Sequence, residues 1–412
     1  MNAYGVLILS ALVAEYGLKV AADVLNLRAS RADLPPEFAD VYGAKRYRAT
    51  QSYTRMRIRF GLVRATLDLV VLLAFWFGGG FDWLDRLVRD LELPAIGAGL
   101  VYIGALVLAR VALSLPFAAY STFVIEERFG FNQTTPATFV ADRVKGLALV
   151  VAIGGPLLAA ILWFFEATGS LAWLWCWGVT VAVMLVGQFV APTWIFPLFN
   201  RFERLDEGEL RDAILAYANK VSFPLEGLFV IDGSRRSTKA NAFFTGFGSH
   251  KRVALFDSLV DRHQTDELVA VVAHEIGHYK KHHIQQGLAL AIAQYGVLFF
   301  LLSLLLERRW VFDAFSVDQP SIYVGLVLFA LLYSPVDLVL SLFVQALSRR
   351  NEFEADAYAC ETSGLANELA TALKRLSADS LANLTPHPLY VKLHYTHPPL
   401  ADRIRALRAL SS

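Results

Sequence analysis

Seven apolar segments, each about as long as a membrane span, divide this chain. A helix needs about 20 mainly apolar residues to cross a bilayer. Hydrophobic residues make up 56% of the 412 residues and charged residues 18%, with a mean hydropathy of +0.45, which is unusual for soluble domains. The sequence therefore predicts a mainly α-helical, polytopic membrane protein with spans at 3–25, 61–80, 97–120, 144–165, 171–192, 285–306 and 321–346.

Two polar stretches separate the apolar segments into four predicted parts. Residues 1–192 hold spans one to five, 193–284 form the first polar part, 285–346 hold spans six and seven, and 347–412 form the second polar part. The short runs GLFVID, ANAFFTGF and RVALF are typical of strands, and a helix is predicted to begin at Thr265 and to continue into the sixth span. We therefore expect a small α+β domain beside the spans.

The loop after the first span sets the predicted orientation. Between residues 28 and 59 the sequence has eight Lys and Arg against three Asp and Glu, and an excess of basic residues is typical of cytoplasmic loops. Counting spans from there places both polar parts in the cytoplasm, where they can meet. The net charge is +1 and no long basic run occurs, so nucleic-acid binding is excluded.

The stretch VVAHEIGHYKKHH, residues 271–283, contains the pattern HExxH. On a helix, His274 and His278 are one turn apart on the same face, so both imidazoles can bind one metal ion, with Glu275 beside them. A carboxylate there can take a proton from an attacking water. Because chance produces HExxH in on the order of one chain in a hundred of this length, the motif requires partners elsewhere.

A second motif, SRRNEFEADAYA at 348–359, follows the seventh span. Glu352 is predicted to be the third ligand of one zinc ion per chain, and Asp356 to hold a ligand histidine through its other ring nitrogen. The only cysteines, Cys176 and Cys360, cannot form a cysteine zinc site, so the metal must be held by His and carboxylate. The alternative is a solvated acidic helix face.

The remaining polar candidates lie near the two motifs. His282 and His283 are interpreted as a polar cluster at the membrane boundary rather than as further ligands. In HYTHPPLADRIRAL, residues 394–407, His397 or Arg403 is a candidate donor to the carbonyl oxygen of a substrate. The alternative is a histidine at a helix start and a surface arginine.

Substrate binding is predicted beside the strand RVALF, whose exposed edge would accept an extended peptide as an added strand. Asn241, Ala242 and Phe243 would lie beside that peptide. The alternative is an ordinary strand with an asparagine in its turn.

These motifs, with PFAAYSTFVIEERFGFNQTT, APTWIFPLFNRFERL and GSRRSTKANAFFTGFGSHKRVALFDSL, resemble the integral-membrane zinc metalloproteases of the CAAX prenyl protease type. The resemblance implies seven helices around a water-filled chamber, capped on its cytoplasmic side by the zinc domain. Known members remove the last three residues from prenylated CAAX sequences, and some make a second cut in a lipidated precursor. The implied residues are His274, His278 and Glu352 for zinc, Glu275 for catalysis, and Asn241, His397 and Arg403 for substrate contact.

The expected partners are a peptide or lipidated protein substrate and membrane lipids, and the chain is expected to be a monomer. An Ala-, Leu- and Arg-rich composition without a dilysine ending favours a bacterial inner membrane over the endoplasmic reticulum. Because bacteria generally lack protein prenylation, a membrane quality-control protease is one alternative. A non-cutting chaperone and a transporter with a structural zinc are others, the last suggested by the charged span residues Glu15, Lys19, Arg64, Asp68 and Arg110.

Overall fold

The computed structural model of the chain describes residues 2–30, 33–247 and 250–411, with the backbone alone for 243–247, 250 and 411. Seven helical segments within those residues are long and apolar enough to cross a membrane. The predicted spans are therefore confirmed, and each helix extends beyond its predicted bounds at one end or both. The segments are Ala3–Arg28, Ala44–Phe77, Ala95–Glu126, Pro136–Ala167, Gly169–Phe199, His283–Leu305 and Ile322–Ser363.

Three of the first five spans each contain one short π-helical turn. Wider π-helical turns occupy Ser121–Glu126, Val150–Gly154 and Ala191–Ile195, and the last contains Pro192, which cannot donate a helical hydrogen bond. We label the α-helices of this part α1 (Ala3–Arg28), α2 (Ala44–Phe77), α3 (Gly80–Arg89), α4 (Ala95–Tyr120), α5 (Pro136–Leu149), α6 (Gly155–Ala167), α7 (Ala172–Val190) and α8 (Phe196–Phe199).

Charged residues of the spans have polar partners on other helices. Arg110 donates from its Nη1 and Nη2 atoms to the two carboxylate oxygens of Asp68, at 2.6 and 3.0 Å. Ser334 donates to Glu15 Oε2 at 3.1 Å. Such pairing is expected where ionisable groups lie at membrane depth, and a wet chamber between the spans stays a prediction.

A four-stranded sheet lies between the fifth span and the HExxH helix. Its strands are β1 (Phe202–Arg204), β2 (Leu225–Ile231), β3 (Ala242–Phe247) and β4 (His250–Phe256), in the order β1-β2-β4-β3. Strands β2 and β4 are parallel, and the other neighbours are antiparallel. All three predicted strands are present, while β1 was missed because three residues carry no recognisable alternation.

The predicted substrate edge was assigned to the wrong strand. RVALF lies in β4, which pairs with β2 on one side and with β3 on the other, so its backbone groups are already used. The edge strand next to β4 is β3, which contains Ala242 and Phe243 and follows Asn241 directly. The side chain of Phe243 lies outside the described residues.

The remaining helices include the HExxH helix and the sixth and seventh spans. They are α9 (Glu209–Lys220), α10 (Asp257–Val260), α11 (Thr265–Lys280), α12 (His283–Leu305), α13 (Arg309–Ala314), α14 (Ile322–Ser363), α15 (Ala366–Asp379), α16 (Pro388–His394) and α17 (Leu400–Ser411). Helix α11 begins where predicted, with a capping box between Gln264 and Glu267. Its residues from Glu267 to His274 are all buried, as expected for a helix in the middle of a core.

Helices α11 and α14 approach closely at Gly277. A Cβ atom at this position would lie 3.0 Å from the carbonyl oxygen of Ala355, tighter than ordinary packing allows. The absence of a side chain at Gly277 therefore lets the two helices meet where their polar residues face each other. Helix α14 is 42 residues long, or about 63 Å at 1.5 Å per residue, so it extends well beyond a hydrocarbon core of about 30 Å.

The HExxH helix does not continue into the sixth span, contrary to the prediction. Helix α11 ends at Lys280, and His282 adopts a left-handed conformation with φ of 61° before α12 begins at His283. The break changes the direction of the chain within two residues. It also turns His283 into the structure, where it is buried.

Candidate metal centre and active site

Three side chains from α11 and α14 converge on one point. The Nε2 atoms of His274 and His278 are 3.1 Å apart. Glu352 places its Oε2 atom 3.5 Å from His274 Nε2 and its Oε1 atom 3.3 Å from His278 Nε2. The structure thus brings together the three residues predicted as metal ligands.

These separations fit a single tetrahedral ion. Two ligand atoms that each lie about 2.1 Å from a tetrahedral zinc are about 3.4 Å from each other, close to the three distances between His274, His278 and Glu352. All three ligand atoms lie within 4.8 Å of one another. Two imidazoles and one carboxylate are also a donor set that binds zinc in catalytic sites.

Asp356 and Arg403 contact the candidate metal ligands. Asp356 Oδ1 lies 2.8 Å from His274 Nδ1, the ring nitrogen that faces away from the metal position. Arg403, on α17, donates from Nε and Nη2 to both Asp356 oxygens at 2.8 and 2.6 Å. Its Nη1 atom lies 3.1 Å from Glu352 Oε2. Asp356 is where the sequence predicted, whereas the buried position of Arg403 excludes the surface arginine considered as an alternative.

His283 contacts His278, the second candidate ligand histidine, and the sequence did not predict this contact. Its Nδ1 atom lies 3.0 Å from His278 Nδ1, and its Nε2 atom lies 3.3 Å from Glu354 Oε2. Glu354 in turn accepts a hydrogen bond from Arg350 at 2.8 Å. His283 would have been recognised from a helix end before it, but the sequence predicts a continuous helix through this position.

Glu275 lies beside the ligands and lines two cavities. One, of about 530 Å³, also contains His274 and Glu352 and opens toward β3 and the C-terminal residues. The other, of about 400 Å³, contains His278 and continues between the membrane helices α12 and α14. Burial raises the pKa of the Glu275 carboxyl above its ordinary value, which suits a group that must accept and then release a proton.

His397 also lines the larger of these two cavities. Its Nε2 atom lies 3.3 Å from Glu352 Oε1, and its side chain remains 64% exposed. Its Nδ1 atom lies 3.0 Å from the hydroxyl oxygen of Thr396. A ring nitrogen of His397 is therefore available near the metal position.

Asn241 and Ala242 line the same cavity at the start of β3. The Asn241 carbonyl accepts a hydrogen bond from the backbone N–H of Phe256 at 3.0 Å, and its side-chain oxygen accepts one from the N–H of Ala242 at 2.9 Å. The structure therefore places the beginning of the edge strand next to the candidate metal centre.

Comparisons with known proteins match nearly the whole chain. Residues 23–201 match the CAAX prenyl protease N-terminal family, described as five membrane helices, and residues 204–411 match peptidase family M48. The CAAX prenyl protease 1 homolog of Arabidopsis thaliana is 34% identical, with 91% of this chain and 90% of that protein covered. CAAX prenyl protease 1 of Saccharomyces cerevisiae is 33% identical, with 93% and 90% covered.

The fold is also that of a solved structure. The crystal structure of S. mikatae Ste24p superposes with a TM-score of 0.93 at 30% identity and covers 99% of both chains. These relatives are eukaryotic, and they give no support to the bacterial inner membrane expected from composition. The chain therefore belongs to peptidase family M48 and is a multi-pass membrane metalloendopeptidase of the CAAX prenyl protease type.

Proposed function

We propose that this metalloendopeptidase uses one zinc ion to hydrolyse peptide bonds near the C-terminus of prenylated proteins that end in a CAAX sequence. The observation that carries the proposal is the convergence of His274, His278 and Glu352 under a cavity that also contains Glu275. The relatives named CAAX prenyl proteases support the substrate class. A monomer is proposed as well, because the three candidate ligands and Glu275 form the site without a residue from a second copy.

The donor set favours a catalytic zinc over a structural one. A structural zinc is normally closed by four protein ligands, whereas a catalytic zinc has three and an open position. Across residues 2–30, 33–247 and 250–411, the group with metal-binding spacing consists of His274, His278 and Glu352. Three ligands support a protease rather than a transporter with a structural zinc.

Glu275 is the proposed general base. A zinc ion bound to the three ligands would polarise the scissile carbonyl and lower the pKa of water. The Glu275 carboxylate accepts a proton from the attacking water and then donates it to the nitrogen of the leaving amine. Burial raises the pKa of the Glu275 carboxyl, and the more basic carboxylate favours the first of these transfers.

His397 is the better candidate for stabilising the negative charge on the carbonyl oxygen. All three nitrogens of the Arg403 guanidinium already face Asp356 or Glu352, so Arg403 positions those carboxylates. His397 Nε2 is exposed to the cavity beside Glu352. A donor there can form a hydrogen bond to the oxygen as its charge develops.

The substrate is proposed to add to the sheet along β3. A peptide in extended form would form backbone hydrogen bonds with this edge strand and extend past Asn241 and Ala242 into the cavity. This position would bring a peptide carbonyl toward the metal ligands. The same geometry supports Asn241, Ala242 and Phe243 as substrate-binding residues.

The catalytic domain is proposed to face the cytoplasm. The basic stretch 28–59, which includes the start of α2, packs against the domain: Arg46 of α2 donates to Asp379 at 2.5 Å, and Lys374 donates to Asp40 at 2.7 Å. Since basic loops are retained in the cytoplasm, the domain that contacts this loop would lie on the same side.

The test uses the purified full-length protein with two peptides that end in the same CAAX sequence, one farnesylated and one not. Cleavage of the farnesylated peptide is expected, with loss on chelator treatment and recovery on addition of zinc. Glu275→Gln is expected to lower kcat by about 100-fold to 10,000-fold, with zinc content unchanged. Glu361→Gln, farther along α14 and outside the site, is the control and should retain activity.

The outcomes separate the competing functions. Equal cleavage of both peptides would indicate a protease without prenyl dependence. Undiminished cleavage by Glu275→Gln would contradict the proposed base. A protein that retains zinc and binds the peptides but cuts neither would support a non-proteolytic chaperone or transporter.

A further inference from the structure

A second large cavity lies at the membrane boundary, away from the metal centre. Its volume is about 790 Å³, and it is formed by one face of α2 and by the segment that follows α4. Three arginines and three aromatic residues dominate its lining: Arg55, Arg59, Arg128, Phe60, Tyr120 and Phe129. The metal ligands contribute nothing to this lining, so the cavity needs a separate explanation.

Helix length places the cavity at the level of the lipid headgroups. Helix α2 has 34 residues, about 51 Å at 1.5 Å per residue, whereas the hydrocarbon core is about 30 Å thick and needs about 20 residues. Counting 20 residues back from Phe77 reaches Ile58. Arg55 therefore lies just outside the hydrocarbon core and Arg59 at its edge.

Two of the arginines share one face of α2. Arg55 and Arg59 are four residues apart, so their side chains are neighbours and their like charges repel each other. Ser52, Phe60 and Val63 continue the same wall of the cavity. An anion between the guanidinium groups would remove this repulsion.

Arg57, which lies on the other side of α2, has partners within the protein, in contrast. Arg57 donates to the Tyr53 hydroxyl at 3.0 Å and lies 3.6 Å from Glu126 Oε1. Glu126 also accepts a hydrogen bond from Lys239 at 2.7 Å. The neighbouring Glu127 accepts one from Asn132 at 2.9 Å.

The cavity itself has no acidic residue among its described lining residues. In the part of the chain that the structure describes, Arg55, Arg59 and Arg128 also form no ion pair with a carboxylate. Three guanidinium groups thus line one cavity without a counter-charge from the protein.

The opposite wall is held firmly in place. Gly130, with φ of 74°, turns the chain after Arg128 and donates its N–H to the Glu127 carbonyl at 3.0 Å. Phe129 packs against the Tyr53 ring, with centroids 5.0 Å apart. The backbone that bears Arg128 is therefore positioned before any ligand binds.

An apolar surface continues from the arginines toward the hydrocarbon core. The Phe60 ring stacks on Tyr120 with centroids 5.2 Å apart, and Val63 and Tyr120 remain 62% and 48% exposed. Aromatic rings of this kind are enriched at the headgroup level of membranes. A ligand here would meet positive charge at one end and an apolar surface at the other.

We propose that this cavity binds one anionic phospholipid, with its phosphate between Arg55, Arg59 and Arg128 and its acyl chains against Phe60, Val63 and Tyr120. Guanidinium groups bind phosphate oxygens through paired hydrogen bonds, so arginine suits this role better than lysine. Basic pockets between membrane helices on the cytoplasmic side are typical sites for anionic headgroups. The apolar wall favours a lipid over a free phosphate ion.

The test measures lipid binding by the full-length protein in nanodiscs of phosphatidylcholine, with and without phosphatidylinositol. Retention of phosphatidylinositol is followed by native mass spectrometry, and stability by the midpoint of thermal unfolding. Combined Arg55→Gln, Arg59→Gln and Arg128→Gln is expected to weaken phosphatidylinositol binding by about 100-fold, since each basic residue near the surface contributes about a factor of five. It should also abolish the rise in midpoint that the bound lipid gives the unsubstituted protein.

A matched control removes the same charge elsewhere. The control variant combines Arg48→Gln, Arg211→Gln and Arg405→Gln. These three arginines do not line the cavity: Arg48 donates to the backbone of its own helix, Arg211 pairs with Glu207, and Arg405 pairs with Asp402. This variant should bind phosphatidylinositol as the unsubstituted protein does. If the triple cavity variant does not fold, Arg55→Gln with Arg128→Gln serves instead, with a loss of about 30-fold expected.

Four results would overturn the proposal. Unchanged phosphatidylinositol binding by the cavity variant would show that the lipid binds elsewhere. An equal loss in the control would indicate attraction by overall charge. Equal retention of phosphatidylcholine would remove the requirement for an anionic headgroup, and displacement of the lipid by inorganic phosphate would indicate a site for a free anion.

Discussion

Arg403 lies between the two carboxylates that organise the metal centre, with its Nη1 atom 3.1 Å from Glu352 Oε2 and its other nitrogens on Asp356. All three side chains are buried. The guanidinium therefore neutralises part of the negative charge that the two carboxylates bring into the core. It also connects α17, at the end of the chain, to the ligand helix α14.

Replacing Arg403 should damage both stability and metal binding. Arg403→Met leaves two buried carboxylates without their cation, and breaking a buried ion pair costs about 3 to 5 kcal/mol. Arg403→Lys retains the charge but not the paired hydrogen bonds, so this variant should lose less stability and less zinc than Arg403→Met. Thermal unfolding and zinc content measure the two effects, with Arg405→Lys on the exposed face of α17 as the control. Normal stability and zinc content in Arg403→Met would show that the contacts are dispensable.

Removing His283 should weaken zinc binding although His283 is not a ligand. Its Nδ1 atom lies 3.0 Å from His278 Nδ1, and groups that orient a ligand histidine typically contribute 10- to 100-fold to metal affinity. We expect His283→Gln to lower zinc affinity by about that factor, measured by competition with a chelator of known affinity. His282→Asn, which suits the left-handed turn and removes the adjacent imidazole, should leave the affinity unchanged. Equal affinities in the two variants would rule out the support by His283.

The convergence of the three candidate metal ligands could be predicted from the sequence because their evidence is local or topological. His274 and His278 are one helical turn apart, and hydropathy alone placed Glu352 on the same side of the membrane after two further spans. The seven spans were also predictable, because a continuous run of about 20 apolar residues is typical of a membrane-spanning helix.

Other features depend on tertiary packing, which local sequence patterns do not predict. The role of Arg403 follows from the docking of α17 against α14, and the edge position of β3 follows from the parallel pairing of β2 with β4. The turn at His282 lies in a run of helix-compatible residues, so no local pattern predicts the break between α11 and α12. The support by His283 depended on that turn and was missed with it.

The turn at His282 should tolerate glycine but not a β-branched residue. Its φ of 61° is readily adopted by glycine, and a side chain branched at Cβ is strained there by about 1 to 2 kcal/mol. We expect His282→Val to lower the midpoint of thermal unfolding and His282→Gly to leave it nearly unchanged. The same pair of substitutions at Gln285, inside α12, should show the reverse order if helix propensity governs that position. A continuous helix through residue 282 would instead make glycine the more harmful substitution.

Protonation of His263 should destabilise the domain in mildly acidic solution. Burial lowers the pKa of His263 below its ordinary value of 6.5, and its Nε2 atom has no hydrogen-bond partner among the described residues, while Nδ1 faces Glu267 at 3.0 Å. Because the folded-state pKa is the lower one, the stabilisation is complete above pH 6.5 and is lost as pH falls toward the folded-state pKa.

The measurement for His263 is the midpoint of thermal unfolding from pH 7.5 downward through 6.5, compared with His263→Gln. The unsubstituted protein should lose stability more steeply below pH 6.5, because the unfolded chain binds a proton there that the folded chain resists. His387→Gln is the control, since His387 caps α16 through Leu389 N–H and lies away from this core. If the unfolding midpoint falls with pH by the same amount in the unsubstituted protein and in His263→Gln, other groups determine the acid sensitivity.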